Sequence, residues 1–191
     1  INKLNISNNI FTPDDIMEGR LPQGEVTIFD DDYYYMGPVI AEMLQKAGCN
    51  VTYVTTSNMV CSFGNHTSEQ SSAQKALINL GVKLIFSQNI NSYNDKEVEL
   101  ACMYTNNKSI IKTESIVMIT ARIPKDTLYY ELQFLKESGK AKSIKSIRRI
   151  GDADAPAPIV SAVYAGRKYA LEIDDELFDK YSTRRDINFI N

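Results

Sequence analysis

Residues 26–47 read VTIFDDDYYYMGPVIAEMLQKA, and this stretch decides the fold. The β-branched and apolar run Val26–Phe29 predicts a buried strand, and the spacing of apolar residues over Met36–Ala47 predicts a helix. Gly48 is well placed to end that helix. Val51–Val54 predicts a second strand, so the stretch and its continuation form a compact βαβ unit with two parallel strands.

The turn inside this unit carries acids and phenols where a dinucleotide-binding fold has GxGxxG. That fingerprint works because small residues let backbone N–H groups and the helix N-terminus approach a pyrophosphate. Asp30–Asp32 would repel the anion, and Tyr33–Tyr35 would fill its space. The second strand ends in Thr55 and Thr56 instead of the acidic residue that binds a ribose. We therefore do not expect this turn to bind NAD(P).

The three aspartates allow two interpretations. Clustered carboxylates suit hard cations, but adjacent residues on a turn point in different directions, and no spaced Asn, Gly or Glu completes a calcium loop. We therefore predict no metal site. We expect Asp30 or Asp32 to cap the following helix and the tyrosines to pack over the vacated groove. At least one of Tyr33–Tyr35 should be buried, because three exposed phenols in a row form an unusual apolar patch.

The rest of the pattern predicts a three-layer α/β domain of Rossmann-like (FAD/NAD(P)-binding-like) type, with a parallel sheet and a β-hairpin or meander covering one face. Thr12-Pro13 is a helix start, with Thr12 as the cap. Further helices are expected at Glu69–Leu80, Pro124–Leu135 and Pro158–Ile173, further strands at Val82–Phe86, Ser115–Ile119 and Ile147–Ile150, and a hairpin over Val98–Ile111 around Asn106-Asn107.

Composition excludes several function classes. The chain of 191 residues has a net charge of -3, so we expect no nucleic-acid partner. No apolar run reaches about 18 residues, so we expect no membrane span and take the cytoplasm as the compartment. The three cysteines show no CxxC spacing, which disfavours disulfides and metal clusters. His66, the single histidine, is expected in a loop or capping role, and we assign no catalytic residue.

Four stretches together resemble one flavoprotein group. They are Phe29–Gly37 (FDDDYYYMG), Gly48–Thr55 (GCNVTYVT), Glu99–Thr105 (ELACMYT) and Ile150–Tyr169 (IGDADAPAPIVSAVYAGRKY). The chain resembles the C-terminal nucleotide-fold region of the trimethylamine and dimethylamine dehydrogenase group, which is related to 2,4-dienoyl-CoA reductase. The similarity covers nearly the whole chain.

The resemblance implies a missing partner in cis. Members of the group have a (β/α)8 barrel with FMN and a [4Fe–4S] cluster, followed by two nucleotide-fold domains, and this chain matches only the C-terminal part. It implies a lead-in segment at 1–24, a degenerate NAD(P)-binding-like domain at 25–145, and a strand and helix at 146–191 that return to an FAD/ADP-binding-like domain. The FMN, cluster and substrate sites would lie outside this chain.

The resemblance also indicates candidate cofactor-binding residues, namely Gly151, Asp152 and Ile159. A carboxylate at a strand end, before a helix, can accept hydrogen bonds from ribose hydroxyls, and the group pattern places it near a nucleotide. Relatives of the amine dehydrogenases hold ADP in place of FAD, so ADP is the candidate ligand. The alternative is a helix cap without a ligand, and both interpretations stay open.

The leading functional hypothesis is a non-catalytic C-terminal fragment of an FMN and iron–sulfur oxidoreductase that oxidises a methylated amine. The expected partners are the upstream barrel and flavin-like domain, a second copy in a homo-oligomer, and an electron-transferring flavoprotein as acceptor. The first alternative is a fragment of an NAD(P)H-dependent enzyme resembling 2,4-dienoyl-CoA reductase. The second is a stand-alone Rossmann-like interaction module.

Overall fold

A computed structural model of the protein describes residues 3–4 and 9–173. The chain divides into two compact units, residues 1–121 and 122–191. The strands are β1 (Lys3–Leu4), β2 (Ile10–Phe11), β3 (Glu25–Asp30), β4 (Asn50–Thr55), β5 (Lys83–Ile85), β6 (Gln88–Tyr93), β7 (Glu97–Cys102), β8 (Lys108–Lys112) and β9 (Ser115–Ile119). The helices are α1 (Pro13–Met17), α2 (Met36–Lys46), α3 (Gln70–Asn79), α4 (Thr127–Glu137) and α5 (Ile159–Glu172).

The first unit is built on a five-stranded parallel sheet with the order β2-β9-β3-β4-β5. Its central strand β3 pairs along its whole length with β4, as the βαβ pattern predicts. The opposite edge of β3 pairs with β9, which is distant in sequence. The predicted α/β class with a parallel sheet is therefore confirmed.

Alternation along β3 separates the two cores of this unit. Val26 and Ile28 face the helices and pack with Ile40 and Leu44 of α2. Phe29 faces the opposite side and packs with residues of a second, four-stranded sheet. Because successive side chains of a strand point to opposite faces, a single strand serves both layers. The three layers are the helices, the parallel sheet and this second sheet.

The second sheet has the order β1-β6-β7-β8 and contains the predicted hairpin. Strands β7 and β8 are antiparallel, and Asn106 in the turn between them has a positive φ of 58°. Strand β6 is an addition that the sequence pattern did not predict. The pairing register shifts between Ile90 and Ser92, and this irregularity breaks the two-residue alternation that identifies a strand.

The predicted start of α1 is confirmed. The side chain of Thr12 accepts the backbone N–H of Asp15 at 3.1 Å, and the Asp15 carboxylate accepts the Thr12 backbone N–H at 2.7 Å. This reciprocal capping satisfies two donors that a helix end leaves without partners. Pro13 occupies the first turn, where its missing N–H has no cost.

The second unit contains α4, a short 3-10 turn over Gly151–Ala153, and α5. The strand predicted at Ile147–Ile150 is wrong. Ile150 is extended, with φ −139° and ψ 158°, but among the described residues no neighbouring strand pairs with this segment. An extended segment becomes a strand only through a ladder partner, and sequence pattern cannot show whether one is present. The predicted domain boundaries concern the whole protein and stay predictions.

Within residues 3–4 and 9–173, none of the helices combines the length and the apolar character needed to cross a bilayer.

Candidate functional site

The turn between β3 and α2 lies at the carboxyl end of the parallel sheet, where open α/β folds bind their ligands. Asp30 ends β3 and its side chain is completely buried. Its Oδ1 accepts the backbone N–H groups of Asp32 at 3.0 Å and Tyr33 at 3.1 Å. Its Oδ2 accepts the hydroxyl of Tyr53 from the neighbouring strand. A carboxylate of the protein itself thus already accepts the hydrogen bonds of these two turn N–H groups.

Gly37 in the first turn of α2 makes this arrangement possible. A Cβ atom at this position would overlap the Asp30 carboxyl group and lie 3.1 Å from the Asp30 Cβ. Position 37 therefore needs a glycine because another group packs closely against the helix there. That group is the Asp30 carboxylate of the same chain and not a bound ligand. The expectation that Asp30 or Asp32 caps α2 is wrong: the helix begins after Tyr35 without a side-chain cap, and Asp30 binds the turn before it.

Burial raises the pKa of the Asp30 carboxyl group above its ordinary value, although the bonds from Tyr53, Tyr33 and Asp32 act in the opposite direction. Burial also raises the pKa of the Tyr53 phenol, and the nearby Asp30 adds to the effect. In the hydrogen bond that joins the two groups, the phenol is the donor and the carboxyl oxygen is the acceptor.

Asp30→Asn should remove one source of pH dependence from the stability of the fold. An amide can accept both turn N–H groups through Oδ1 and donate to the Tyr53 oxygen through Nδ2. A raised folded-state pKa gives stability that is fully present below the unfolded pKa of about 4 and is lost as pH rises through the folded value. The variant should therefore gain stability relative to the native protein as the pH rises above about 4. Urea unfolding at several pH values measures this, and parallel stability curves would contradict it.

A second network closes the outer side of the turn. The Tyr33 hydroxyl donates to Asp31 Oδ1 at 2.6 Å, and the Thr56 hydroxyl donates to the same oxygen at 3.0 Å. The two hydroxyl oxygens are 2.6 Å apart. Thr56 follows the end of β4, where a dinucleotide site carries its ribose-binding acid. These polar groups bind each other at the position where a dinucleotide-binding fold holds its nucleotide.

Two of the three tyrosines pack on Phe63, which lies in a short 3-10 helix. Tyr34 stacks on Phe63 with ring centroids 4.9 Å apart, and Tyr33 meets the same ring edge-on at 5.9 Å. The expectation of a buried tyrosine is wrong, because Tyr33 and Tyr34 are half-buried and Tyr35 is 56% exposed. Phe63 itself is 43% exposed, so it covers the phenols from one side only.

The predicted cofactor residues lie in the second unit, around the 3-10 turn. Gly151 has a positive φ of 58°, and its carbonyl accepts the N–H groups of Asp154 at 3.0 Å and Ala155 at 2.9 Å. A Cβ on Gly151 would come within 3.4 Å of Ala162 in α5, so the turn packs closely on that helix. Asp152 is exposed, and Ile159, the first residue of α5, is 81% exposed. Their cofactor role stays a prediction.

Arg149 connects this turn to α4. Its guanidinium forms ion pairs with Asp126 and, at 3.7 Å, with Asp154. It also lies 4.9 Å from the centroid of the Tyr129 ring and 5.6 Å from that of Tyr130. Two carboxylates and two aromatic faces hold the segment that carries Gly151 and Asp152.

Other candidate chemistries have no assembled site in the part of the chain that the structure describes. No group of three His, Cys, Asp or Glu side chains there could hold a metal ion. Cys49 and Cys61 are buried free thiols, and burial raises the pKa of each. His66 is exposed, with its ring 6.5 Å from that of Phe63.

A protein-family model described as the OYE-like second alpha/beta domain matches residues 11–118. The chain belongs to this family. The matched residues include the turn between β3 and α2, nearly all of the parallel sheet, and the hairpin. They lie within the first unit.

Three proteins similar to this chain are two amine dehydrogenases and an amine oxidase. Dimethylamine dehydrogenase of Hyphomicrobium sp. (strain x) is 29% identical over 189 residues, covering 87% of this chain and 25% of that protein. The structure of histamine dehydrogenase from Rhizobium sp. 4-9 matches with a TM-score of 0.82 and 38% identity, over 90% of this chain and 27% of that one. The structure of 6-hydroxypseudooxynicotine amine oxidase from Pseudomonas geniculata N1 matches with a TM-score of 0.77 and 32% identity, over 84% and 24%.

The chain therefore spans about a quarter of the length of these relatives. The resemblance to the trimethylamine and dimethylamine dehydrogenase group, which the sequence motifs indicated, is confirmed.

The sequence did not identify two residues that hold the turn between β3 and α2 in this OYE-like domain. Tyr53 lies inside the predicted strand Val51–Val54, and the sequence assigned it no separate role, although its hydroxyl binds Asp30. Phe63 lies in a short 3-10 helix, Ser62–His66, within a polar stretch of sequence, and its backbone N–H donates to the Tyr33 carbonyl at 3.1 Å. A lone aromatic residue in a polar stretch was the available signal for Phe63. The partner of Tyr53 follows only from the folded positions of β3 and β4.

Proposed function

We propose that this chain is the non-catalytic C-terminal part of an amine dehydrogenase-like flavin oxidoreductase. The parent would oxidise a methylated amine, and an electron-transferring flavoprotein would be the external acceptor. The single observation that carries the proposal is the turn between β3 and α2, in which the buried Asp30 carboxylate accepts both turn N–H groups. FMN and a [4Fe–4S] cluster, held outside this chain, would supply the redox chemistry.

Support against pyridine-nucleotide chemistry comes from charge and space. A pyrophosphate needs the N–H groups at the turn, and Asp30 already accepts two of them. An approaching phosphate would also meet the Asp31 carboxylate, which is exposed on the same turn. Electrostatic repulsion and lost hydrogen bonds therefore both oppose NAD(P)H binding. This is the feature that disfavours the parent resembling 2,4-dienoyl-CoA reductase.

Support for a partner in cis comes from the apolar side chains of the second unit. Neither α4 nor α5 buries a side chain among the described residues, whereas α2 buries five residues. The exposed apolar residues of α5 occupy one broad face of the helix. They are Ile159, Val160, Val163, Tyr164 and Leu171. We propose that the flavin-like domain upstream in the parent covers this face, because an apolar patch of this kind marks an interaction surface.

The same unit is compatible with an ADP site shared with that domain. Gly151 has the left-handed conformation that a tight turn near a ligand requires, and the exposed Asp152 carboxylate is free of steric cover. Asp152 would accept hydrogen bonds from ribose hydroxyls, and Arg149 would keep the turn in place. Ile159 would contribute an apolar contact. The remaining walls of the site would come from outside the chain.

An absorption experiment on the natural-length protein tests the proposal. We expect a flavin and iron–sulfur spectrum that bleaches on anaerobic addition of dimethylamine or trimethylamine and stays unchanged on addition of NADPH. Bleaching by NADPH would instead favour the parent resembling 2,4-dienoyl-CoA reductase. A colourless protein would overturn both and leave the stand-alone interaction module.

A further inference from the structure

The Asp30 carboxylate has the partners that a bound oxyanion has in a nucleotide fold. Such folds bind a phosphate through consecutive turn N–H groups and the N-terminus of the next helix. Here two consecutive turn N–H groups, of Asp32 and Tyr33, meet one oxygen of a fully buried anion. The third donor is the Tyr53 hydroxyl on the other oxygen. Each carboxyl oxygen therefore has at least one donor.

The helix side of the site has the matching shape. Gly37 leaves open the space that the carboxylate fills, and a Cβ there would overlap it. Gly37 and the neighbouring Pro38 are both buried, so the carboxylate is enclosed against α2. Buried charges are tolerated where donors surround them, and two of these three donors are backbone groups fixed by the fold.

We propose that Asp30 is a built-in ligand of an oxyanion site, a tethered carboxylate in the place of an external anion. The site still exists in the backbone, and Asp30 determines its specificity by keeping external anions out. It follows that removing the Asp30 side chain leaves the turn N–H groups without their acceptor and opens a site for a small oxyanion. The oxyanion site lies in the turn alone and is independent of the substrate that the parent oxidises.

Asp30→Gly in the full chain tests the proposal, with sodium formate as the probe and sodium chloride at equal ionic strength as the reference. Formate restores a carboxylate to the vacated space without restoring the tether. We expect the thermal unfolding midpoint of the variant to rise by about 4 °C at formate near ten times its dissociation constant. Sodium phosphate, used in the same way, shows whether the space also admits a tetrahedral oxyanion.

Two control proteins make the result specific. The native chain and Asp30→Asn, in which an amide fills the same space, should respond to formate and phosphate no more than to chloride. If Asp30→Gly does not fold, the same titration is made on Asp30→Ser, which keeps one hydroxyl acceptor for the turn. An equal response of native and variant proteins, or no formate effect beyond chloride in the variants, would overturn the inference.

Discussion

Gly37→Ala should destabilise the first unit by about 3 kcal/mol, because an added methyl group cannot be accommodated beside Asp30. The Asp30 carboxyl group is held by three hydrogen bonds and cannot swing away without leaving those donors unpaired. Urea unfolding of the full chain, followed by circular dichroism, measures the change. A loss below about 0.5 kcal/mol, the range of ordinary surface substitutions, would contradict the close contact between Gly37 and the Asp30 carboxyl group.

Two further variants identify the cause. Gly166→Ala is the matched control, because Gly166 is helical and a Cβ there meets no atom within 4 Å. It should be neutral or stabilising by up to about 1 kcal/mol. The double variant Asp30→Ala with Gly37→Ala should lose at least about 1 kcal/mol less stability than the two single variants lose together. The reason is that the added methyl group then enters the space that the Asp30 carboxyl group has left.

Leu100→Ala should cost about 3 kcal/mol and weaken the contact between the two sheets of the first unit. Leu100 is 1% exposed in β7 and belongs to the core cluster that includes Phe29, Val54 and Ile116 of the parallel sheet. Truncation removes buried methyl groups and leaves a cavity between the layers. The same urea unfolding experiment measures the loss.

Leu128→Ala is the control for this truncation, because Leu128 in α4 is 66% exposed. In the isolated chain it should change the free energy of unfolding by less than about 0.5 kcal/mol. Equal losses for Leu100→Ala and Leu128→Ala would mean that the hairpin sheet does not share a core with the parallel sheet.

The layers of the fold could be predicted because the responsible signals are local. Val26–Phe29 and Val51–Val54 are apolar on both faces, as buried parallel strands are, and Thr12 with Asp15 identifies a helix start within four residues. Strand β6 escaped prediction because its register shift interrupts the alternation. The segment 147–150 was predicted as a strand from its composition, whereas strand formation depends on a partner.

For the candidate site as well, local features could be predicted from the sequence and long-range contacts could not. The absence of glycines between β3 and α2 is visible in the sequence, and so is the unsuitability of the turn for a pyrophosphate. The bond between Asp30 and Tyr53 is not visible, because it joins residues 23 positions apart across two strands. The partial burial of Tyr34 was also unpredictable, since it depends on where Phe63 lies in the folded chain. The sequence therefore showed which chemical groups the turn carries, but it did not show which side chains contact each other.

For protein engineering, the enclosed carboxylate sets the order in which cofactor use could be introduced into this scaffold. Adding glycines to the turn, or an acid at Thr56 for a ribose, would leave the phosphate position filled by Asp30. A redesign would have to begin with residue 30 and keep Gly37, the one glycine of the region that already permits a close approach. Random mutagenesis that spares Asp30 should then return few variants with gained pyridine-nucleotide affinity, however many surface positions it samples.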